Sequence, residues 1–158
     1  KMNIAAALPL GFSSRCEVLD MRLEREIQLD GLREKLQGTL PTGIQVTDVE
    51  SVDERAPTLQ TQVVSAEYEV SLADAGFGSE VKRKIESVLE AESIIRTRRG
   101  KEYDLRPLIE ALDLLDGKIC MKLAVREGAT GRPEEVLDML GIAFEDTRIE
   151  RTRLIFQS

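Results

Sequence analysis

From Ser65 to the C-terminus the chain runs through seven elements in a fixed order, and that order limits its fold more than any single motif. Ala66, Tyr68, Val70 and Leu72 alternate with Glu67, Glu69 and Ser71, the period of a half-exposed strand. Gly76–Gly78 breaks that run, and Ser79 is placed to cap a helix carrying Val81, Ile85, Val88 and Leu89. Ser93–Leu112 then reads as two strands folded back at Gly100. Ile119, Met121, Leu123 and Val125 alternate with Lys118, Cys120, Lys122 and Arg126 as a further strand. Arg132–Leu140 reads as a short helix with Pro133 at its first position, Glu134 and Glu135 in its first turn, and Gly141 as its stop. Thr147–Phe156 closes as a strand bearing Arg148, Arg151 and Arg153. Strand, helix, three strands, helix, strand is β-α-β-β-α-β with one strand added, the ferredoxin-like order.

The part before Ser65 reads as a shorter version of the same plan. Met2–Leu8 is an apolar run ended by Pro9 and Gly11, and Cys16–Ile27 alternates as a strand. Leu29, Leu32, Leu36 and Leu40 recur at helical spacing, which predicts a helix over about Asp30–Gln37, with Pro41 preventing its continuation. Ile44–Val52 reads as a strand. Residues 53–64, which hold Pro57 and show no clear period, read as a linker. The predicted class is therefore α+β: two tandem ferredoxin-like units, 1–52 incomplete at its N-terminus and 65–158 with an extra strand. The chain opens on Lys1, so it is expected to be a piece of something longer.

The predicted hairpin concentrates the positive charge. Residues 1–73 carry seven Lys and Arg against twelve Asp and Glu, residues 74–158 fifteen against seventeen, and five of those fifteen are Arg96, Arg98, Arg99, Lys101 and Arg106. Guanidinium forks match phosphate oxygens, so these five are candidate nucleic-acid contacts. A solvated edge strand guarded by its charges is the competing reading. Aromatics that could stack on bases are scarce, and the alternation puts Tyr103 with Leu105 and Ile109 on the core side. Asp104 and Arg106 share the other face, at the spacing of a structural ion pair; Asp104 as a catalytic carboxylate has no identifiable partner.

Other chemistries find little support. There is no His and no Trp, and Cys16 and Cys120 lie far apart without metal-ligand spacing. Glu17 and Asp20 fall on opposite faces of an ideal strand, which argues against a metal pair. Gly76-Phe77-Gly78 lacks the third Gly or the Lys of a phosphate loop. No catalytic residue, cofactor or metal is expected in this segment. No apolar run approaches a bilayer-spanning length and no signal peptide is legible, so no membrane contact and a cytoplasmic location are the expectation.

Four stretches in fixed order carry a resemblance. They are Leu8-Pro9-Leu10-Gly11 with Ser14, Glu17 and Asp20; Leu40-Pro41-Thr42-Gly43-Ile44; Tyr103-Asp104-Leu105-Arg106-Pro107-Leu108-Ile109; and Arg132-Pro133-Glu134-Glu135-Val136-Leu137. Together they resemble the radical-SAM-linked protein family, a bacterial domain of unknown function. That domain is fused to the C-terminal side of cobalamin-binding radical SAM proteins or accompanies them separately. The family's upstream helix and its Gly-Phe-rich turn with His and Pro are missing here, as is any three-Cys cluster motif. The resemblance implies a companion of a radical SAM protein and, through the family's association with RNA processing, a role at RNA. The tandem plan is also similar to the repeat-processing endonucleases of CRISPR systems, at the level of fold alone. Three readings follow, in order of preference: a non-catalytic domain that recognises RNA or an RNA-containing partner; a protein-interaction module that docks on a radical SAM enzyme without touching nucleic acid; and an enzyme acting on RNA, which needs the missing N-terminal segment. A continuous basic surface would favour the first and an exposed apolar patch the second.

Overall fold

The computed structural model describes residues 1–73 and 75–158. In chain order the elements are β1 (Met2–Ile4), β2 (Ser13–Ser14), β3 (Leu19–Met21), α1 (Leu32–Thr39), α2 (Leu59–Gln62), β4 (Val63–Leu72), α3 (Ser79–Glu90), β5 (Ile95–Arg98), β6 (Lys101–Asp104), β7 (Ile109–Leu115), β8 (Lys118–Arg126), β9 (Ala129–Thr130), α4 (Pro133–Met139) and β10 (Thr147–Phe156). The class is α+β, with four helices and several sheets among the described residues. Among the described residues no helix is long and apolar enough to cross a membrane.

The alternating runs of β4, β7, β8 and β10 are satisfied within one sheet, ordered β2-β10-β4-β8-β7. β10, β4, β8 and β7 are antiparallel neighbours, so the first strand of the β-α-β-β-α-β run lies between the last and the third. One sheet face is apolar: Ala66, Tyr68 and Val70 on β4, Ile119, Met121 and Leu123 on β8, and Ile149 and Leu154 on β10 are all buried. Helices α3 and α4 contribute Ile85, Val88, Val136 and Leu137 to that same core. Burying a Leu or Ile completely is worth about 1.5–3 kcal/mol, so this layer supplies most of the stabilisation. The opposite face is a charge lattice in which Arg15 meets Glu69 and Glu150, Lys118 meets Glu69, and Lys122 and Arg126 meet Glu110. The β7–β8 turn has left-handed Asp116 and Gly117 (φ 51° and 72°), and the Gly117 backbone comes so near Gly76 that a Cβ there would sit 3.2 Å from the Gly76 Cα.

The expected second limb of the basic hairpin divides in two. β5 and β6 pair only with each other, whereas β7 belongs to the main sheet. The break is a 3₁₀ turn at Arg106–Leu108, where Pro107 has no N–H to give a ladder. Ser79 is the first residue of α3 rather than its cap; Gly78 holds that position.

The front of the chain departs furthest from expectation. The strand expected over Cys16–Ile27 shrinks to Leu19–Met21, which pairs with β1 in an isolated two-stranded ribbon. Alternation makes a strand only where a partner strand exists, and beyond Arg22 none is present. Residues 44–52 form no strand. The helix begins at Leu32 because Gly31 ahead of it is left-handed at φ 70°. Of residues 1–52 only Ala5 is fully buried among the hydrophobic side chains, so this stretch builds no second core. The expected linker ends in α2, whose Leu59 is buried and which runs straight into β4.

Candidate functional site

The basic ribbon is built on a two-residue turn. Arg98 pairs with Lys101, and Arg99 and Gly100 between them have φ 52° and 76°, the left-handed pair that matches the twist of a hairpin. Arg96 and Arg98 then lie two apart on one face, as expected, but that face meets α4. Arg96 Nη2 donates to Asp138 Oδ2. Arg98 makes a fork-to-fork pair with Glu135, Nε to Oε1 at 2.9 Å and Nη2 to Oε2 at 2.6 Å. Its Nη2 also donates to the Thr130 carbonyl at 3.0 Å, and the guanidinium carbon sits 4.6 Å from the Tyr103 ring centre. The Glu135 hydrogen bond holds Arg98 above the ordinary arginine value, and burial pushes the Tyr103 phenol up.

Asp104 and Arg106 take different partners in place of the expected ion pair. The Asp104 Oδ1 accepts the Ile94 amide at 2.7 Å and the Arg106 amide at 3.0 Å. The Arg106 guanidinium donates to the Ile109 carbonyl at 3.1 Å and the Leu89 carbonyl at 3.0 Å. Asp104 thus closes the base of the ribbon, and the Ile94 amide above all holds its carboxyl below the usual aspartate range. A carboxyl with a lowered folded value contributes stability above its unfolded pKa of about 3.9 and loses it as pH falls through the folded value. In an NMR titration the Ile94 and Arg106 amide shifts are expected to move with a midpoint below that of an unstructured aspartate, and Asp104→Asn is expected to abolish the movement.

Of the five cations, Arg99 and Lys101 are exposed, and among the described residues neither makes an ion pair or a side-chain hydrogen bond. The five therefore do not form one free phosphate-contacting surface. Arg148 cannot extend it, since it lines a small cavity of about 200 Å³ with Glu69, Lys118 and Glu150 on the charged sheet face.

The structure places a second constellation around Arg151, which lies opposite Tyr68 in the β10–β4 register and is only 2 % exposed. A register shift after Arg151 turns Arg153 outward and Leu154 inward. The Arg151 Nη1 donates to Glu17 Oε1 and Oε2 at 3.0 and 3.1 Å and to the Ala6 carbonyl at 3.1 Å, while Nη2 donates to the Ala7 carbonyl at 2.7 Å. Ser14, paired with Arg151 through β2, donates its hydroxyl to Glu17 at 2.5 Å. One buried guanidinium thus ties the front of the chain to the sheet. The sequence carried a signal for it: Arg151 is in phase with Ile149, the inward side of an alternating strand.

Beside Arg151 is a cavity of about 940 Å³, walled by Ala5, Ala6 and Ala7 and reaching Tyr68, Gly131 and Glu134. Burial pushes the Tyr68 phenol up, with Arg151 opposing. Among the described residues Arg106 Nε, Arg151 Nε and Glu134 Oε2 are buried side-chain atoms without a hydrogen-bond partner. Glu17 therefore serves Arg151, and among the described residues no cluster of three or more His, Cys, Asp or Glu is arranged to hold a metal ion.

A third feature is the β1–β3 ribbon. Met2 lies opposite Met21 and Ile4 opposite Leu19, so the four side chains share one ribbon face, at 68, 39, 48 and 46 % exposure.

The model of a family described as uncharacterised proteins conserved in bacteria, DUF2344, matches residues 1–133. The chain belongs to this family. The DUF2344 match takes in Glu17, the β1–β3 ribbon, the basic ribbon and the alanine wall of the cavity, and it ends at the first residue of α4. Its description names no activity, cofactor or partner. No curated protein and no solved structure matches the chain.

Proposed function

We propose that this DUF2344 chain is a companion module that docks on a larger protein through the apolar face of the β1–β3 ribbon. The observation that carries the reading is the uncovered set Met2, Ile4, Leu19 and Met21, a contiguous patch of the kind that marks interaction surfaces. The sequence resemblance supplies the partner, a cobalamin-binding radical SAM protein. Charge supplies a further constraint: residues 1–73 hold twelve acidic against seven basic side chains, so the complementary surface is apolar with a basic rim. The strand order β10-β4-β8-β7 supports reading residues 65–158 as a ferredoxin-like unit with an added ribbon.

RNA recognition is the second reading, favoured by the two free cations at the ribbon tip, Arg99 and Lys101. Two phosphate contacts give only a shallow dependence on salt and weak affinity.

Calorimetric titration against the purified radical SAM protein of the same bacterium distinguishes the two. Leu19→Asp/Met21→Asp is expected to weaken binding about 100-fold, as loss of a central apolar anchor does, with little change in thermal stability because both side chains are exposed. Unchanged affinity in that variant would remove the ribbon from the interface. Tight binding of labelled single-stranded RNA at physiological salt, lost in Arg99→Glu/Lys101→Glu, would put the RNA reading in its place.

A further inference from the structure

We propose that the cavity beside Arg151 receives the Pro9-Leu10-Gly11 turn of a second copy of this chain, each protomer of a two-fold dimer seating its Leu10 in the other. The turn is a firm knob. The Pro9 carbonyl accepts the Phe12 amide at 3.2 Å and Gly11 has φ 87°, the geometry of a type II turn with Leu10 at its outer corner. Leu10 is 99 % exposed, and Phe144, itself 39 % exposed, stacks on Phe12 behind it. A single exposed leucine is ordinary on a protein surface. This one adjoins a hole, because Leu8 and Pro9, the two residues before it, are part of the cavity lining. At about 940 Å³ that cavity has room for the side chain and the turn that carries it. Buried Ala5, Val63, Tyr68 and Pro133 give it a largely apolar floor, and the charge of Arg151 there is met by Glu17.

Symmetry and charge select the occupant. A two-fold contact joins identical patches, so one patch must carry both halves of the fit, and a knob beside a hole does. The remaining charges of the lining are Arg126, Glu127, Arg132 and Glu134. The first three are exposed and form the rim, two cations to one anion, while Glu134 is half-buried. Arg126 is shared with Glu110 at 3.3 Å, and Arg132 has no carboxylate partner among the described residues. On the knob side, Glu145 and Asp146 follow Phe144 in an exposed 3₁₀ turn and make no ion pair among the described residues. Insertion of Leu10 brings this acidic pair to the arginine-bearing rim of the other protomer, so an apolar centre is ringed by opposite charges.

Analytical ultracentrifugation of the whole chain, from micromolar to millimolar concentration, tests the assignment. A monomer–dimer equilibrium is expected, and it is expected to weaken as salt screens the rim. Leu10→Asp removes the knob and Ala7→Trp blocks the hole, both at exposed positions where the fold is expected to survive, as circular dichroism checks. Each variant alone is expected to dimerise at least about 100-fold more weakly, because the symmetry removes two apolar anchors at once. A mixture of the two variants keeps one intact contact, the Leu10 of the Ala7→Trp chain in the open cavity of the Leu10→Asp chain. The mixture is therefore expected to associate about tenfold more tightly than either variant does with itself. Two unrelated surface defects would not complement each other in this way. A chain that stays monomeric to millimolar concentration overturns the proposal. So does dimerisation that survives Leu10→Asp, or a mixture no tighter than its components, which would put Leu10 against some other surface.

Discussion

Glu17→Ala is expected to destabilise the chain by about 3 kcal/mol, more than removal of its buried partner. Arg151 is 3 % exposed in its side chain and Glu17 38 %, so the two sides of the pair are unequal. Without Glu17 a guanidinium charge stays in the interior with the Ala6 and Ala7 carbonyls and the Tyr68 ring, but no carboxylate partner, to face it. Without Arg151 the carboxylate can turn to water, and what remains unpaired is chiefly two carbonyls. Arg151→Met is therefore expected to cost about 2 kcal/mol. For a chain of this size each kcal/mol lowers the melting temperature by roughly 2–4 °C, so differential scanning calorimetry resolves the order. The double variant Glu17→Leu/Arg151→Met is expected to recover part of the loss, since a buried pair replaced by apolar side chains is often close to neutral. Equal melting temperatures for Glu17→Ala and the unaltered chain would show that the carboxylate does not hold Arg151 in place.

Leu105→Ala is expected to have a comparable or larger effect, about 2–5 kcal/mol for a fully buried leucine. Leu105 sits at the exit of β6, and its amide donates to the Ile94 carbonyl at 2.8 Å. It fastens the basic ribbon to the core, while Arg96 and Arg98 fasten it to α4. Loss of the side chain leaves a cavity under the ribbon, and the Ile94 and Arg106 amides are expected to exchange faster in native-state hydrogen exchange. Arg98→Ala, which breaks a mostly buried bidentate pair, is expected to cost about 1.5 kcal/mol. If Arg98→Ala proved the more damaging change, the ribbon would be held by its charges rather than by its apolar anchor.

What the sequence shows depends on whether an element finds its partners nearby. From Val63 onward the long alternating runs of β4, β8 and β10 are satisfied in a single sheet close to their expected limits, while the expected hairpin yields a self-paired ribbon, β5 and β6, and a separate strand, β7. The hairpin turn was legible from Gly100, because a two-residue loop needs left-handed backbone there. The fate of its arginines was not. Glu135 and Asp138 stand three apart on one face of α4, spacing that suits Arg96 and Arg98, but which helix a ribbon rests on is a tertiary fact. The front segment misled for the same reason: Cys16–Ile27 alternates well, yet only Leu19–Met21 has a strand to pair with. The Arg151–Glu17 tie joins positions 134 residues apart, and only the phase of Arg151 with Ile149 hinted at it.

Hydrogen–deuterium exchange on the chain alone, with the proposed radical SAM partner, and with single-stranded RNA is the most direct test of the proposed docking. Docking through the apolar ribbon is expected to slow exchange at Met2–Ile4 and Leu19–Met21 when the protein partner is added, and to leave Arg98–Lys101 unchanged. Slowing confined to the Arg98–Lys101 turn in the presence of RNA, with none at the β1–β3 ribbon in the presence of the protein, would contradict it.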